Sequence, residues 1–109
     1  MFIVKPNPTF THPVIAKVPV DGGYDDQRFT ATFQVMPVEE AAEYDLTDGK
    51  SSAAFLRRVI VELGELADAG DKSVPYNDAL RDQLLNVPYV RTALAKAYLG
   101  AIGGAALGN

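Results

Sequence analysis

The sequence contains neither cysteine nor tryptophan, and His12 is its only histidine. Without cysteine the chain has no disulfides, no thiolate metal ligands and no thiol nucleophile. A lone histidine makes neither a zinc site nor a general acid-base pair, so we interpret His12 as a structural residue. The three serines, Ser51, Ser52 and Ser73, stand in cap or loop positions without a Gly-x-Ser-x-Gly elbow. We therefore expect no catalytic residue and no metal site, and an enzyme or small-ligand protein is the least favoured class.

Acidic and glycine-rich segments give no ligand-binding motif either. Aspartates cluster in segments 21–26 and 68–78, but neither has the spacing and distal glutamate of a calcium loop. Gly100, Gly103 and Gly104 form no G-x-G-x-x-G motif after a strand, and no Walker lysine follows a glycine run. We expect these aspartates to lie in solvated turns and the chain to need no cofactor.

Neither a membrane nor a nucleic acid is an expected partner. The longest weakly polar stretch, Ala97 to Gly108, is far shorter than the roughly 20 residues that span a bilayer. The first residues, Met1 to Pro6, lack the pattern of a secretory signal, so we expect a cytoplasmic protein. The net charge is −4, and between Asp21 and Asp48 eight acidic residues face only Arg28, which would repel phosphate backbones.

The length predicts one domain over residues 1–109. The residue patterns divide it into a β-rich part, residues 1–36, and a helical part, residues 37–109. Polar and apolar residues alternate over Arg28 to Val35, and Val14, Ala16, Val18 and Val20 occupy every second position of the segment Pro13 to Val20. These patterns predict two antiparallel strands joined by the turn residues between them. Since proline cannot donate to a sheet, we expect the first of these strands at an edge, or bulged near Pro19. Phe2 to Lys5 could add a third strand.

The period changes from strand to helix after Pro37. We predict a first helix from Pro37 to Tyr44 and a central helix after a cap at Ser51 or Ser52. The central helix carries apolar residues at three- and four-residue spacing. These are Leu56, Val59, Ile60, Leu63 and Leu66.

Two more helices follow. Asn77 can cap a short helix, and Pro88 opens the last one at its first position. The fold class is therefore α+β, with an N-terminal antiparallel β-hairpin or small sheet followed by about four α-helices.

The terminal helix is the candidate binding surface. Residues 88–109 contain two basic residues and no acid, and their apolar residues are spread around more than one helical face. One face can cover the domain's own core, while the other could dock a partner helix or a second copy of the chain; equally, a small domain could bury both faces itself. The candidate partner-binding residues are Tyr89, Val90, Leu94, Tyr98, Leu99, Ile102 and Leu107.

Short apolar and proline-containing segments along nearly the whole chain resemble one known family. In the first third they are Phe2 to Val4, Asn7-Pro8-Thr9-Phe10, Pro13-Val14, Val18-Pro19 and the segment Phe29 to Phe33. In the helical part they are Val59 to Glu62, Val74-Pro75-Tyr76, Leu84-Leu85, Val87 to Val90, Ala97-Tyr98 and Gly108-Asn109. Together these residues are similar to the tail assembly chaperones of long-tailed bacteriophages. The chain departs from the family near Gly64, where relatives often have a tryptophan.

The resemblance implies a non-enzymatic role in tail morphogenesis. Such chaperones are thought to coat the tape measure protein, keep it soluble and help bring tail tube proteins to it, and they leave before the tail is complete. It therefore implies these two partners, the cytoplasm of the bacterial host as the location, and absence from the mature virion. A small structural tail or head-tail connector protein of a phage or prophage is the alternative that the composition also allows.

Overall fold

A three-stranded antiparallel sheet in the order β1-β2-β3 forms one layer of the protein. The computed structural model describes residues 1–108, with side chains up to Gly103. Strands β1 (Thr9–Val20) and β2 (Gly23–Gln34) are joined by Asp21 and Gly22, and Gly22 has a left-handed φ of 81° that suits glycine. The predicted N-terminal antiparallel sheet and the α+β class are thus confirmed, and β1 is an edge strand.

The third strand is not the one that the sequence predicted. Residues 1–5 lie outside the sheet, and the third strand is β3 (Ile60–Gly64). It therefore comes from a segment assigned above to the central helix and to the helical part of the chain. Because residues 59–61 are all β-branched, this segment suits a strand once the second edge of β2 is available.

Over residues 1–108 four helices accompany the sheet, namely α1 (Val38–Ala41), α2 (Gly49–Val59), α3 (Asp78–Leu85) and α4 (Pro88–Gly108). The first is shorter than predicted, and the central helix ends at Val59.

Side-chain caps fix the starts of two of these helices. The predicted serine cap of α2 is wrong, because Asp48 is the N-cap and accepts a hydrogen bond from the Ser51 amide at 2.9 Å. Asn77 caps α3 as predicted, accepting from the Leu80 amide at 2.7 Å. Each cap satisfies an amide that the first turn leaves unpaired.

One hydrophobic core joins the sheet to the helices, and Tyr98 lies at its centre. Its ring packs against Phe10, Phe33 and Phe55 with centroid distances of 5.2 to 6.1 Å. Its hydroxyl accepts a hydrogen bond from the buried Met36 amide at 3.0 Å. The inward side chains of β1 and β2 complete this core, and the helix α4 runs beneath β1.

Candidate protein-binding groove

The structure divides the candidate partner-binding residues of α4 between core and surface. Val90, Leu94 and Tyr98 are buried in the core, so these three are not part of a free surface. Leu99 is partly buried against the same core. Tyr89 and Ile102 are exposed, with 37% and 46% of their surface accessible, and the side chain of Leu107 lies outside the described part of the chain.

The exposed side of α4 forms one wall of a groove along the free edge of β1. Tyr89, Thr92 and Lys96 are exposed on α4 at three- and four-residue spacing, so they share one helical face. The groove has a volume of about 460 Å³ and is lined by Ile15, Lys17, Pro19, Pro88, Tyr89, Thr92, Ala93 and Lys96. We call it the β1–α4 groove. An adjoining hollow of about 370 Å³ extends it toward His12 and Gly100.

Backbone groups of β1 are open along this groove. The Val35 amide donates to the Pro8 carbonyl at 3.0 Å, which continues the β1–β2 pairing by one residue pair. Since hydrogen-bonded and non-hydrogen-bonded pairs alternate in an antiparallel ladder, the even-numbered residues of β1 bond to β2 and the odd-numbered ones point to the free edge.

Two prolines limit the pairing capacity of that edge. Pro13 and Pro19 occupy odd positions and bring no N–H, so their place in β1 leaves the ladder with β2 intact. Between them, Ile15 and Lys17 present both an N–H and a carbonyl. The edge can therefore accept a short extended segment but discourages a long one.

The charges beside the groove are mainly basic. Lys17 pairs with Asp26 at 3.3 Å, and both side chains are exposed. Lys96 takes part in no ion pair within the part of the chain that the structure describes. The groove thus combines an apolar floor with a positive rim, although the whole chain carries a net charge of −4. This combination suits an amphipathic segment that carries a carboxylate.

The sequence holds two signals for this groove that a search for large apolar residues misses. Thr92, Ala93 and Ala97 are small residues on the side of α4 next to β1, and they leave depth beside the strand. Pro13 and Pro19 stand at odd positions of β1, which marks the side of the strand that is not paired.

Away from the groove, Arg57, Arg58 and Arg81 form surface ion pairs with carboxylates. Hydrogen bonds from Arg81 and then Arg57 lower the pKa of Asp82, and the hydrogen bond to Glu40 raises the pKa of Arg58. Over the described residues, no group of three or more histidine, aspartate or glutamate side chains is placed to hold a metal ion. No helix there has the length and hydrophobicity needed to cross a membrane.

Comparison of the chain with models of known families, with curated proteins and with solved structures finds no match.

Proposed function

We propose that this protein is a non-enzymatic tail assembly chaperone of a long-tailed phage or prophage. It binds the tape measure protein, keeps it soluble and helps recruit tail tube subunits. The resemblance along nearly the whole chain supports the family. The open β1–α4 groove is the observation that carries the binding role, because it is an apolar surface that the protein's own core leaves uncovered.

The groove supplies the interactions that a temporary complex with an amphipathic chain needs. Ile15, Pro19 and Tyr89 offer apolar surface, and Lys96 can pair with a carboxylate at the rim. The groove is open to solvent along one side, so a bound segment can leave without unfolding of the chaperone. Release is necessary for a protein that departs before the tail is complete.

Co-expression with a tape measure protein of the same phage or prophage tests this function. We expect the tape measure protein to stay in the soluble fraction only when this chain is present. Unchanged solubility would contradict the proposal.

A matched pair of variants tests the groove itself. Thr92→Arg fills the groove with a long side chain, while Gln83→Arg makes the same kind of change on the exposed part of α3. Both positions are exposed and helical, so each variant should change the free energy of unfolding by less than about 0.5 kcal/mol. We expect Thr92→Arg to abolish solubilisation and Gln83→Arg to preserve it. Equal behaviour of the two would show that the partner binds elsewhere.

The composition of purified particles separates this function from that of a structural tail or connector protein. An assembly chaperone acts in the host cytoplasm and should be missing from finished particles. Mass spectrometry that finds this chain at a fixed copy number in the particles would favour the structural role.

A further inference from the structure

An uncovered apolar arm precedes the sheet. Residues 1–5, which we call the N-terminal arm, lie outside every strand and helix. Phe2, Ile3 and Val4 have exposed fractions of 87%, 71% and 85%. Phenylalanine, isoleucine and valine favour strands. A run of them that is exposed to solvent is stabilised when it pairs with a sheet edge and buries its apolar side chains.

We propose that, when no other partner is bound, the N-terminal arm of one copy of this protein docks in the β1–α4 groove of a second copy, where it pairs with the free edge of β1 as a short fourth strand. A tape measure segment in the same groove would displace the arm. The arm and the groove are complementary in apolar surface and in backbone hydrogen-bonding groups, although Lys5 of the arm and Lys96 of the rim carry the same charge. One is a strand-forming apolar segment without a sheet, and the other is a sheet edge beside an apolar floor without a strand.

The lengths of the two elements also match. Pro6 ends the arm, and the four residues before it, Phe2 to Lys5, can pair as a strand. The edge of β1 offers N–H groups at Ile15 and Lys17, in a window closed on both sides by proline. In an antiparallel pair only every second residue of a strand bonds to its neighbour. A segment of four residues therefore has two bonding residues, which match Ile15 and Lys17.

The side chains of a paired arm would find two different environments. Phe2 and Val4 share one face of an extended segment, and Ile3 lies on the other. With Phe2 and Val4 turned toward α4, they cover the small residues Thr92 and Ala93. Ile3 then lies on the outer face of the sheet beside Ile15, which is 55% exposed.

The arm cannot occupy the same position in its own molecule. To pair across the window, Val4 would have to lie beside Ile15 or Lys17. Val4 is four residues before Pro8, which is held in register with Val35, so it reaches at most about 14 Å from Pro8. Ile15 lies seven residues beyond Pro8 along β1, or about 23 Å. The protein's own arm therefore cannot pair across the window, whereas the arm of a second copy can.

Sedimentation equilibrium of the full chain over a range of concentrations tests the proposal. We expect the wild type to self-associate reversibly. The double variant Phe2→Asp/Val4→Asp should have an association constant at least tenfold lower. Val38→Asp is the matched control, because Val38 is 85% exposed but belongs to neither the arm nor the groove. A wild-type chain that stays monomeric, or association that survives the double variant, would overturn the proposal.

Mixing two defective variants identifies the contact. Ile15→Pro removes an N–H that faces the free edge and imitates Pro13 and Pro19, so β1 should keep its pairing with β2. Neither Ile15→Pro nor the arm variant should associate alone. A mixture should form heterodimers, since the intact arm of one can enter the intact groove of the other. Failure of the mixture to associate, with both variants folded by circular dichroism, would rule out exchange of the arm.

A tryptophan introduced at position 2 separates exchange from docking within one molecule. Since the chain has no tryptophan, Phe2→Trp places the single tryptophan of the protein on the arm, and its emission can be excited separately from that of the tyrosines. We expect its emission to shift to shorter wavelength as the concentration rises. A blue-shifted emission that does not depend on concentration, in a monomer, would contradict exchange between copies.

Discussion

Helix α4 and the segment 55–66 both place apolar residues three and four positions apart, yet only α4 stays helical. It runs over 21 residues and continues through Gly100. In segment 55–66, α2 ends at Val59 and β3 begins at the next residue. Spacing of this kind is therefore not sufficient for a helix when a sheet edge is available.

A β-bulge explains why the strand imitates a helix in the sequence. Ile60 pairs with Phe33 and Glu62 pairs with Thr32, so Val61 is an extra residue in β3. The bulge shifts the alternation by one position. As a result Ile60 and Leu63, three residues apart, both face the core, whereas a regular strand would turn only one of them inward. The three-residue spacing comes from the bulge and not from a helical turn.

The largest expected effect concerns the anchor that keeps α4 on the sheet. Tyr98→Ala removes a ring that is 1% exposed and contacts three other aromatic rings, so we expect a loss of about 3 to 5 kcal/mol in the free energy of unfolding. Urea denaturation followed by circular dichroism measures it. Tyr98→Phe keeps the ring and loses only the bond to the Met36 amide, and should cost about 1 to 3 kcal/mol. Similar losses for both variants would contradict a core centred on this ring.

The second prediction concerns β3, where strand and helix give opposite signs. A Cβ at Gly64 would lie 2.8 Å from Oγ1 of Thr30 on the neighbouring strand, so Gly64→Ala should destabilise the protein by about 1 kcal/mol or more. In a helix, the same change would stabilise by about 1 kcal/mol. The variant Thr30→Ala lacks the clashing atom. Adding Gly64→Ala to Thr30→Ala should therefore lower the free energy of unfolding by less than adding Gly64→Ala to the wild type does. A stabilising effect of Gly64→Ala would restore the helical interpretation of this segment.

The matched change in α4 should have the opposite effect. Gly100 lies within the helix, and a Cβ added there would meet no other atom within 4 Å. Gly100→Ala should therefore raise the free energy of unfolding by about 0.5 to 1 kcal/mol, because alanine loses less backbone entropy than glycine. Denaturant midpoints of the two glycine variants, measured side by side, give the comparison directly. Equal signs would mean that one of the two segments is assigned wrongly.

Local signals in the sequence predicted several parts of the fold correctly. Alternation identified β1 and β2, and capping chemistry identified Asn77 and Pro88 at the starts of α3 and α4. The edge position of β1 followed from its prolines. Each of these features depends on neighbouring residues, so one sequence is enough to detect it.

The rest of the fold and most of the groove depend on distant residues. β3 exists because β2 offers it an edge, and the groove exists because α4 lies beneath β1. The pattern of α4 showed its apolar residues but not which of them the core would take, so Val90, Leu94 and Tyr98 were placed in the candidate surface. On the α4 side the groove is lined by Tyr89, Thr92 and Ala93, and the last two are too small to stand out in a search for apolar contacts.

The smallest expected effect concerns the last turn of α2, just before the chain changes from helix to strand. Arg57 in that turn pairs with Asp82 of α3 at 3.0 Å, and Arg81 and Arg57 lower the pKa of Asp82. Because the pKa of Asp82 is lower in the folded state, its carboxylate stabilises the fold at pH values above the pKa in the unfolded state, about 3.9. This contribution is lost as the pH falls through the pKa of the folded state. Asp82→Asn should therefore have a slightly lower Tm than the wild type near neutral pH, and the difference should shrink as the pH is lowered below about 4.

Salt provides the control for that measurement, because both side chains of the pair are about half exposed. The difference in Tm should also shrink in about 1 M salt, where the screening length is about 3 Å. A difference that persists at low pH and high salt would show that Asp82 supports the end of α2 through packing. In that case the position at which the helix gives way to β3 would depend on contacts with α3 rather than on this ion pair.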